Sequence, residues 1–406
     1  MQVTIERLGH RGDGIAPGPV FVPGALPGEV VEGVLEGDTL QAPKIVTPVA
    51  DRVRPPCRHA KACGGCALQH ASDGFLAEWK AEVIRLALAG QGLEAPIRPV
   101  LTSPPRSRRR ATLAGKRTKG GVILGFHGRA SDTVVAVPDC QLLHPDLMAA
   151  FPAMEEITAL GGSRKGALAL GVTSTPNGPD IAVTGGKPLD ATLRMELGQL
   201  ADRHHLARLA WDGEVVALAR PPVQRMGRAE VAPPPGAFLQ ATPDGEAALV
   251  SAVTESVSGA RKLVDLFSGC GTFALPLAAR AEVHAVESGP GMLQALDAGW
   301  RGAEGLHRVT TETRDLFRRP LMVDELNRFD AVVIDPPRAG AEAQTAQLAA
   351  SRVPVIAAVS CNSVTFARDA RALIQGGYRL EWVQPVDQFR WSPHVELVAR
   401  FGRAPA

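Results

Sequence analysis

The fold of this chain is decided by one stretch, Lys262-Leu263-Val264-Asp265-Leu266-Phe267-Ser268-Gly269-Cys270-Gly271-Thr272-Phe273. An apolar run that ends in a glycine-rich turn and leads into a helical pattern is typical of nucleotide-binding folds. Gly269 and Gly271 let the backbone approach a ligand closely, and we expect a helix starting near Thr272 to offer it unpaired N–H groups. The turn lacks the Lys-Ser/Thr pair of a Walker motif, which argues against a nucleoside triphosphate.

Strand-like and helical patterns alternate on both sides of the glycine turn. Strands are predicted at 262–267, 282–287, 329–335 and 354–360, and helices at 272–280, 292–301, 342–351 and 364–375. This alternation is typical of a parallel sheet with helices on both faces. We therefore predict an α/β, Rossmann-like domain over residues 236–406. Ligands of such sheets bind beyond the carboxyl ends of the strands, where Glu287 is placed to bind the two hydroxyls of a ribose.

The preceding half of the chain has a different pattern. Residues 1–54 contain short strand-like runs separated by Gly and Pro turns, which predict a small β module. Residues 55–235 alternate short strands with turns, apart from a helical pattern at 75–89, and end at a Pro-Pro-Pro-Gly linker. We therefore expect three domains, at 1–54, 55–235 and 236–406.

Composition limits the classes of function. The 406 residues carry a net charge of only +2, so any affinity for nucleic acid must come from local clusters of charge. The sequence shows neither a signal-peptide pattern nor an apolar stretch of membrane-spanning length. We therefore expect a cytoplasmic protein with no membrane partner, and a monomer by default.

Two further strand ends carry polar motifs, Asp335-Pro336-Pro337-Arg338 and Ser360-Cys361-Asn362. A cysteine at a strand end beside a cofactor turn suggests a nucleophile, although a free cysteine there is commonly a buried core thiol. The arginine after the Pro-Pro pair argues against amino-group methylation, which usually has an aromatic residue there. The motifs together predict a methyltransferase that attacks its substrate covalently.

The chain resembles the RNA uracil-5 methyltransferase family. The resemblance rests on Asp265–Phe273, Asp335–Arg338, Ser360–Asn362 and Asp387–Glu396. It implies an S-adenosylmethionine-dependent enzyme that methylates C5 of uridine, with a TRAM-type OB β-barrel at residues 1–54. By the same resemblance, residues 70–100 pack with the methyltransferase domain.

The resemblance also assigns roles in the reaction. Cys361 would be the nucleophile, Glu396 the base, and Asp335 the group that orients uracil and cofactor together. The cofactor pocket would be lined by Gln240, Phe267, Gly269, Gly271, Thr272, Glu287, Asp315 and Asp335. This chain departs from the family at Thr272 and Asp315, where asparagine is common, and at Phe389-Arg390, where the usual pair is Phe-Pro.

Four cysteines lie outside the predicted catalytic domain, at Cys57, Cys63, Cys66 and Cys140. Four thiolates suit a tetrahedral zinc ion or an iron–sulfur cluster, and the spacing alone leaves both open. The family resemblance implies a [4Fe–4S] cluster, with a structural or RNA-positioning role.

The predicted partner is RNA. Basic residues around a predicted hairpin are expected to contact phosphates: Arg106, Arg108, Arg109, Arg110, Lys116, Arg117 and Lys119. The resemblance favours a uridine in 23S rRNA. The alternatives are a uridine in tRNA, cytosine-5 methylation, and a non-catalytic RNA-binding or assembly factor that has kept the fold.

Overall fold

Three β-sheets and one two-stranded hairpin make up the β-structure of residues 1–403, which the computed structural model describes. The first sheet contains β1 to β6, at Gln2–Thr4, Arg7–Leu8, Gly14–Ala16, Val20–Val22, Val30–Glu36 and Thr39–Thr47. In its strand order, β1-β5-β6-β4-β3-β2, the edge strands are β1 and β2. These two strands follow each other in the chain, with only Ile5 and Glu6 between them. Their N–H groups donate to Glu29 and Ile15 on either side, so the sheet closes into a small barrel.

The middle of the chain forms a seven-stranded sheet with helices packed on it. Helices α1 to α4 are Asp73–Ala89, Pro145–Ala149, Phe151–Gly161 and Ala191–Arg203. Strands β7 to β16 are Leu101–Thr102, Arg110–Thr118, Gly121–His127, Val134–Ala136, Leu168–Thr173, Asp180–Thr184, Arg208–Trp211, Glu214–Leu218, Gln224–Met226 and Ala229–Val231. The sheet order is β10-β9-β8-β11-β12-β13-β14, and only the β12–β13 pair is parallel. Within residues 1–403, no helix is both long and apolar enough to cross a membrane.

The third sheet has eight strands and is mixed. Strands β17 to β23 are Lys262–Leu266, Glu282–Glu287, Val309–Thr313, Ala331–Ile334, Val355–Ser360, Arg379–Asp387 and Glu396–Gly402. Helices α5 to α10 are Pro243–Ser256, Ala274–Leu277, Pro290–Arg301, Val323–Leu326, Glu342–Ala350 and Ser363–Gln375.

The order of this sheet is β19-β18-β17-β20-β21-β23-β22-β7. Strands β17 to β21 are parallel to one another, and β23 runs antiparallel between β21 and β22. The strands that follow β17 in the chain, β18 and β19, lie on one side of it in the sheet, whereas β20 and β21 lie on its other side. A ligand cleft is expected at such a switch point, outside the carboxyl ends of the strands. The predicted α/β, Rossmann-like fold with additional β-rich domains is therefore confirmed.

The helix after the glycine turn differs from its prediction. Helix α6 does not start at Thr272 but spans only Ala274–Leu277. Gly271 has a φ of +97°, which no helical residue adopts, so the chain becomes helical only after it. The regular helix thus begins two residues later than predicted, although the Leu275 N–H already donates to the Gly271 carbonyl at 3.0 Å.

Helix α1 lies far from the third sheet in sequence but packs against it. Its N-terminus is capped by the Ser72 hydroxyl, which accepts a hydrogen bond from the Phe75 N–H at 3.2 Å. Ile84 and Leu88 are buried in the same apolar core as the α9–α10 face of the sheet. The following strand, β7, pairs with β22 at the sheet edge. Residues 73–102 are therefore structurally part of the third sheet.

Candidate active site

A cleft of about 500 Å³ lies at the carboxyl ends of the parallel strands. Its walls come from the loops after β17, β18, β19, β20 and β21, and from the start of β23. The lining residues include Phe238, Gln240, Phe267, Gly269, Thr272, Glu287, Met292, Asp315, Phe317, Asp335, Arg338, Cys361 and Glu396. The cleft therefore collects side chains from strand ends that are distant in sequence.

The glycine turn between β17 and α6 forms one wall of this cleft. Phe267, Gly269 and Gly271 all have positive φ, at +63°, +54° and +97°. A Cβ atom on Gly271 would lie 2.9 Å from the Leu275 side chain and 3.0 Å from that of Leu296. Only glycine therefore allows the turn to pack so closely on the two following helices. Gly269 is part of the cleft lining, whereas Gly271 packs behind it against Leu275 and Leu296.

Glu287 ends β18 and is held by backbone donors. One carboxylate oxygen accepts from the Gly269 N–H at 3.2 Å, and the other from the Ser288 and Gly289 N–H groups at 2.7 and 2.9 Å. These contacts fix the carboxylate on the cleft wall without burying it completely. A fixed carboxylate can accept hydrogen bonds from two neighbouring hydroxyls of a ribose.

An aromatic pair lies near Glu287. The rings of Phe267 and Phe317 have their centroids 5.5 Å apart, and Phe317 is 49% exposed. Asp315 holds this loop in place, because its carboxylate accepts from the Phe317 N–H at 3.0 Å. The half-buried ring of Phe267 and the exposed ring of Phe317 line the cleft, where a flat base can stack on them.

Asp265, inside β17, is fully buried, and neither carboxylate oxygen has a hydrogen-bond partner among the described residues. Burial raises the pKa of Asp265 well above its usual range, and the charges of Asp335 and Glu287 raise it further. The Ala274 N–H opposes this rise, although no hydrogen bond of normal geometry reaches the carboxylate. Asp265 thus lies behind the cleft lining, without a hydrogen-bond partner among the described residues.

Three reactive side chains meet on the opposite wall. Asp335 follows β20, Cys361 follows the neighbouring β21, and Glu396 begins β23. Because β23 runs antiparallel to β21, with Ser360 opposite Leu397, the start of one strand lies beside the end of the other. The sheet topology therefore brings together residues that are up to 61 positions apart in the sequence, from 335 to 396.

The three groups influence one another electrostatically. Burial raises the pKa of Asp335 to about 7. Burial and the charge of Asp335 raise the pKa of Glu396 to about 8. Burial and the charges of Glu396 and Asp335 raise the pKa of Cys361 to about 11, against the opposing effect of Arg338. Perturbed pKa values that are concentrated in one cleft are typical of catalytic sites.

A glutamine links the two sides of the cleft. The Gln388 side chain donates to Oε1 of Gln240 at 2.5 Å and accepts from the Ala241 N–H at 2.6 Å. Gln388 and Gln240 are 1% and 2% exposed, so these hydrogen bonds are protected from water. The Gln388 amide also opposes the rise in the pKa of Glu396. Gln240 is therefore connected to the loop that carries Glu396.

Cys57, Cys63, Cys66 and Cys140 lie close together, away from the cleft. Burial raises the pKa of Cys66 to about 12, and the charges of the other three thiols add to this rise. Burial and the charges of Cys57 and Cys63 likewise raise the pKa of Cys140. Within residues 1–403, no three or more Cys, His, Asp or Glu side chains form a group that could hold a metal ion. The thiolates around one zinc ion would lie only about 4 Å apart.

The basic residues of the predicted hairpin do not all face solvent. Strands β8 and β9 form the hairpin, and Arg106 and Lys119 are exposed. Arg109 is instead buried, where it forms an ion pair with Glu246 at 2.5 Å and donates to the Gln240 carbonyl at 3.3 Å. The prediction that Arg109 contacts phosphate was wrong, because this side chain braces the segment that carries Gln240.

A Rossmann-like sheet with a glycine turn and a cleft lined by acids at the carboxyl ends of its strands is the arrangement of an S-adenosylmethionine-dependent methyltransferase. S-adenosylmethionine carries a positively charged sulfonium, which would favour the ionised forms of Asp335 and Glu396, whose pKa values are raised by burial.

Comparisons with known proteins agree with this class. The family model described as tRNA (uracil-5-)-methyltransferase matches residues 236–400. An uncharacterised RNA methyltransferase of Mesorhizobium japonicum is 44% identical over 98% of this chain and 96% of its own length. The 23S rRNA (uracil(1939)-C(5))-methyltransferase RlmD of Halomonas elongata is 33% identical over 97% of this chain and 88% of its own length.

A solved structure shares the fold over the whole chain. The Pyrococcus abyssi tRNA (uracil-54, C5)-methyltransferase in complex with S-adenosyl-L-homocysteine covers 99% of each chain, with a TM-score of 0.78 and 24% identity. The chain therefore belongs to the RNA uracil-C5 methyltransferase family, as the sequence motifs predicted.

Most of the predicted site residues converge in the cleft. Every predicted catalytic and cofactor residue lines it except Gly271, which lies beneath. Three residues at or near the cleft were not predicted from the sequence: Phe317, Met292 and Gln388. Phe317 could have been found as an aromatic residue two positions after Asp315, whereas Gln388 has no distinguishing sequence pattern. The catalytic roles themselves remain predictions.

Proposed function

We propose that this enzyme methylates C5 of a uridine in 23S rRNA, with Cys361 as a covalent nucleophile. The observation that carries the proposal is the convergence of Cys361, Asp335 and Glu396 on one wall of the cofactor cleft. The reaction requires a thiol, a carboxyl group beside it and a base.

The chemistry assigns one task to each group. C5 of uracil is too weakly nucleophilic to take a methyl group unaided. A bond from the Cys361 sulfur to C6 converts the ring to an enolate, which makes C5 nucleophilic. After methylation, Glu396 as carboxylate removes the C5 proton, the C5–C6 double bond reforms and the C6–S bond breaks, which returns the thiolate. Asp335 lies between cofactor and substrate and orients both.

The protonation states follow from the charges in the cleft. A pKa of about 11 keeps the Cys361 thiol protonated in the empty site at neutral pH. A cation held beside Asp335 and Glu396 favours the thiolate, so the nucleophile forms when the cofactor is bound. A pKa of about 8 leaves Glu396 largely protonated in the empty site at neutral pH. The same bound cation favours its carboxylate form, which then removes the C5 proton.

When bound, S-adenosylmethionine supplies the electrophilic methyl group. Glu287 would bind its ribose hydroxyls, and Phe267 and Phe317 would stack on its base. Its remaining contacts would come from Gln240, Gly269, Thr272, Asp315 and Asp335, which all line the cleft.

The choice of 23S rRNA is supported by relatedness. The Halomonas relative named for that substrate is 33% identical over nearly the full chain. A uridine in tRNA is the second candidate, because the matched family model and the structural neighbour are named for tRNA enzymes. The same cleft chemistry serves either RNA.

The four clustered cysteines are proposed to hold a [4Fe–4S] cluster. The four thiols lie near one another, since the charges of Cys57, Cys63 and Cys140 all act on Cys66, and four thiolates are the ligand set of such a cluster. Iron and acid-labile sulfide in anaerobically purified protein would support this assignment. Stoichiometric zinc without sulfide would contradict it.

RNA would be held by the barrel and by the exposed face of the β8–β9 hairpin. Lys119, in the turn of this hairpin, and Arg106, which precedes β8, are exposed, so they can contact phosphates, whereas Arg109 cannot. Contacts of this kind offset the few kcal/mol that unstacking a target base costs.

The first experiment is a nucleoside-resolved assay. Anaerobically purified protein and S-adenosylmethionine are incubated separately with unmodified 23S rRNA and unmodified tRNA, and 5-methyluridine is measured by mass spectrometry. Product in 23S rRNA alone is expected. Product in tRNA alone would overturn the substrate but keep the chemistry. 5-Methylcytidine, or no product at all, would contradict the proposed reaction.

The covalent step is tested with two variants. Cys361→Ala should abolish methylation while RNA binding is preserved. If the protein were a non-catalytic RNA-binding factor, the same substitution would leave its cellular function intact. Glu396→Gln should form the C6–S bond and accept the methyl group but fail to remove the C5 proton. A methylated RNA–protein adduct that survives denaturing electrophoresis is therefore expected with Glu396→Gln, and its absence would rule out Glu396 as the base.

A further inference from the structure

The loop that leads to Glu396 is held by residues outside the methyltransferase sheet. Residues 388–395 connect β22 to β23. Within this loop, the Trp391 carbonyl accepts hydrogen bonds from the N–H groups of Ala67 and Leu68, both at 2.9 Å. Ala67 and Leu68 directly follow Cys66 in the chain. The cysteine-rich segment and the catalytic loop are therefore joined through their backbones.

Trp391 has a conformation that needs external support. Its φ is +60°, in the left-handed region that strains a residue with a side chain. Its ring is only 5% exposed and belongs to an apolar cluster with Leu68, Leu76 and Trp79. Cys66 and Cys140 pack against the same cluster. The strained backbone is thus sustained by packing and by two hydrogen bonds from one segment.

Glu396 is sensitive to this loop. It forms the last residue pair of the β22–β23 ladder, opposite Val386, so the loop is its immediate neighbour. The ends of a ladder open more readily than its centre. One Glu396 oxygen is buried without a hydrogen-bond partner among residues 1–403, so the sheet alone does not fix the side chain. Gln388, whose amide opposes the rise in the pKa of Glu396, lies in the same loop.

We propose that Trp391 is a positioning residue through which the segment after Cys66 sets the place of the Glu396 carboxylate. The proposal rests on the role of Glu396 as the base in the proposed function. It assigns no direct contact with RNA or cofactor to Trp391. It also gives the cysteine-rich segment a task in the reaction, since this segment supplies both donors to the Trp391 carbonyl.

The consequence is confined to one step. If the loop loosens, Cys361 can still bond to C6 and C5 can still be methylated, because neither event uses Glu396. Removal of the C5 proton slows, and breaking of the C6–S bond is delayed with it. A displacement of about 1 Å at a catalytic group can slow a reaction about 100-fold. A methylated adduct should therefore accumulate while the KM for RNA changes little.

The test compares Trp391→Ala with Trp391→Phe and with Trp211→Ala. Trp211 is a matched control, because it is a tryptophan of 1% exposure buried in the core of the seven-stranded sheet. We expect Trp391→Ala to lower kcat about 100-fold and to accumulate the adduct. Trp391→Phe, which keeps an aromatic anchor, should restore most of the turnover. Trp211→Ala should lower stability without accumulating adduct.

Two further measurements keep the proposal falsifiable if Trp391→Ala folds poorly. Leu68→Ala weakens the same contact from the other side and should also accumulate adduct. Hydrogen exchange should be faster at residues 67–68 and 389–396 in Leu68→Ala, with α10 unchanged, and close to that of the parent protein in Trp391→Phe. Normal turnover of folded Trp391→Ala or Leu68→Ala, while Glu396→Gln forms adduct, would overturn the positioning role. Absence of adduct in Glu396→Gln itself would instead overturn the proposed function.

Discussion

Two buried acids, Asp265 and Glu396, lower the stability of the folded protein. Asp265 and Glu396 are 0% and 4% exposed, and each has carboxylate oxygen without a hydrogen-bond partner in the described part of the chain. An acid whose pKa is raised by folding keeps its proton in the native state at pH values where the unfolded chain has lost it. The stability of the ligand-free protein therefore falls as pH rises through this interval.

Glu396→Gln should stabilise the ligand-free protein at alkaline pH. The pKa of Glu396 rises from an ordinary 4.5 to about 8, so its destabilising effect begins above pH 4.5 and is complete above about pH 8. The gain in the free energy of unfolding of the variant should thus grow from pH 5 to pH 8. Chemical denaturation at several pH values measures it. The exposed Glu304→Gln is the control, and a gain independent of pH would contradict the burial argument.

The Cys361 thiol should become more acidic when a cation occupies the cofactor site. Sinefungin carries a positive amine near the place of the sulfonium, whereas S-adenosylhomocysteine is neutral at its sulfur. The pH midpoint of alkylation should fall below about 11 with sinefungin but not with S-adenosylhomocysteine. Cys361→Ala serves as the blank for other thiols. Equal midpoints with the two ligands would show that the cation does not reach the thiol.

Single residues at strand ends could be predicted from the sequence, and residues that support them could not. Asp335 and Cys361 follow apolar strands, and the topology of parallel sheets alone places such residues at one edge. Gln388 acts through a partner almost 150 positions away, at Gln240, and no local pattern marks that distance. Arg109 was misassigned because a charge run gives no information about which of its members face inward.

At the scale of elements, helix α1 braces the catalytic loop. Lys80 lies on its buried face with 0% exposure and forms an ion pair with Asp387, at the end of β22, at 2.5 Å. Burial lowers the pKa of Lys80, and the Asp387 charge opposes this effect. Arg390 adds a second link, since it donates to the Ser103 carbonyl at 3.1 Å and to Asp73 at 2.5 Å. The arginine that replaces the family's usual proline thus joins the loop to α1.

Lys80→Met should destabilise the fold strongly. Removing one partner of a buried ion pair leaves an unpaired charge, which typically costs about 3–5 kcal/mol. Denaturant titration of the full chain should show this loss, together with faster hydrogen exchange in residues 387–396. Arg85→Ala is a matched control on the same helix, because its ion pair with Glu82 is exposed and contributes about 1 kcal/mol at most. A similar effect of the two variants would contradict the bracing role.

The elements themselves were predictable to different degrees. Apolar runs located four of the five parallel strands within a few residues, because both faces of such strands are buried. Strand β19 was missed, because its sequence, Val-Thr-Thr-Glu-Thr, is not an apolar run. The antiparallel pair β22–β23 was not predicted as strands, although the Glu396 motif was recognised in it. Helix α6 was predicted too long, because a helical pattern does not reveal that Gly271 must adopt a positive φ.

At the scale of the whole molecule, a buried carboxylate links the barrel to the segment that follows it, beside an apolar cluster that Leu8 and Leu26 share with Leu68 and Trp79. Glu29 in the barrel is 0% exposed and pairs with Arg52, whose Nη2 donates to Glu29 at 2.6 Å and to the Gly24 carbonyl at 2.7 Å. The segment after Arg52 leads into the cysteines and then to the Trp391 contact. The barrel, the cysteine segment and the catalytic loop therefore form one continuous chain of contacts.

Arg52→Met should undock the barrel, and a second substitution should restore it. Burial alone would raise the pKa of Glu29, but Arg52 and backbone donors lower it below 4.5. The stability that Glu29 provides is thus present above pH 4.5 and lost as the pH falls below that value. In Arg52→Met the carboxylate is buried without its partner, which should expose residues 48–56 to proteolysis at neutral pH. Adding Glu29→Gln removes the unpaired charge and should recover most of the protection. Equal proteolysis of the single and double variants would show that the barrel docks by shape alone.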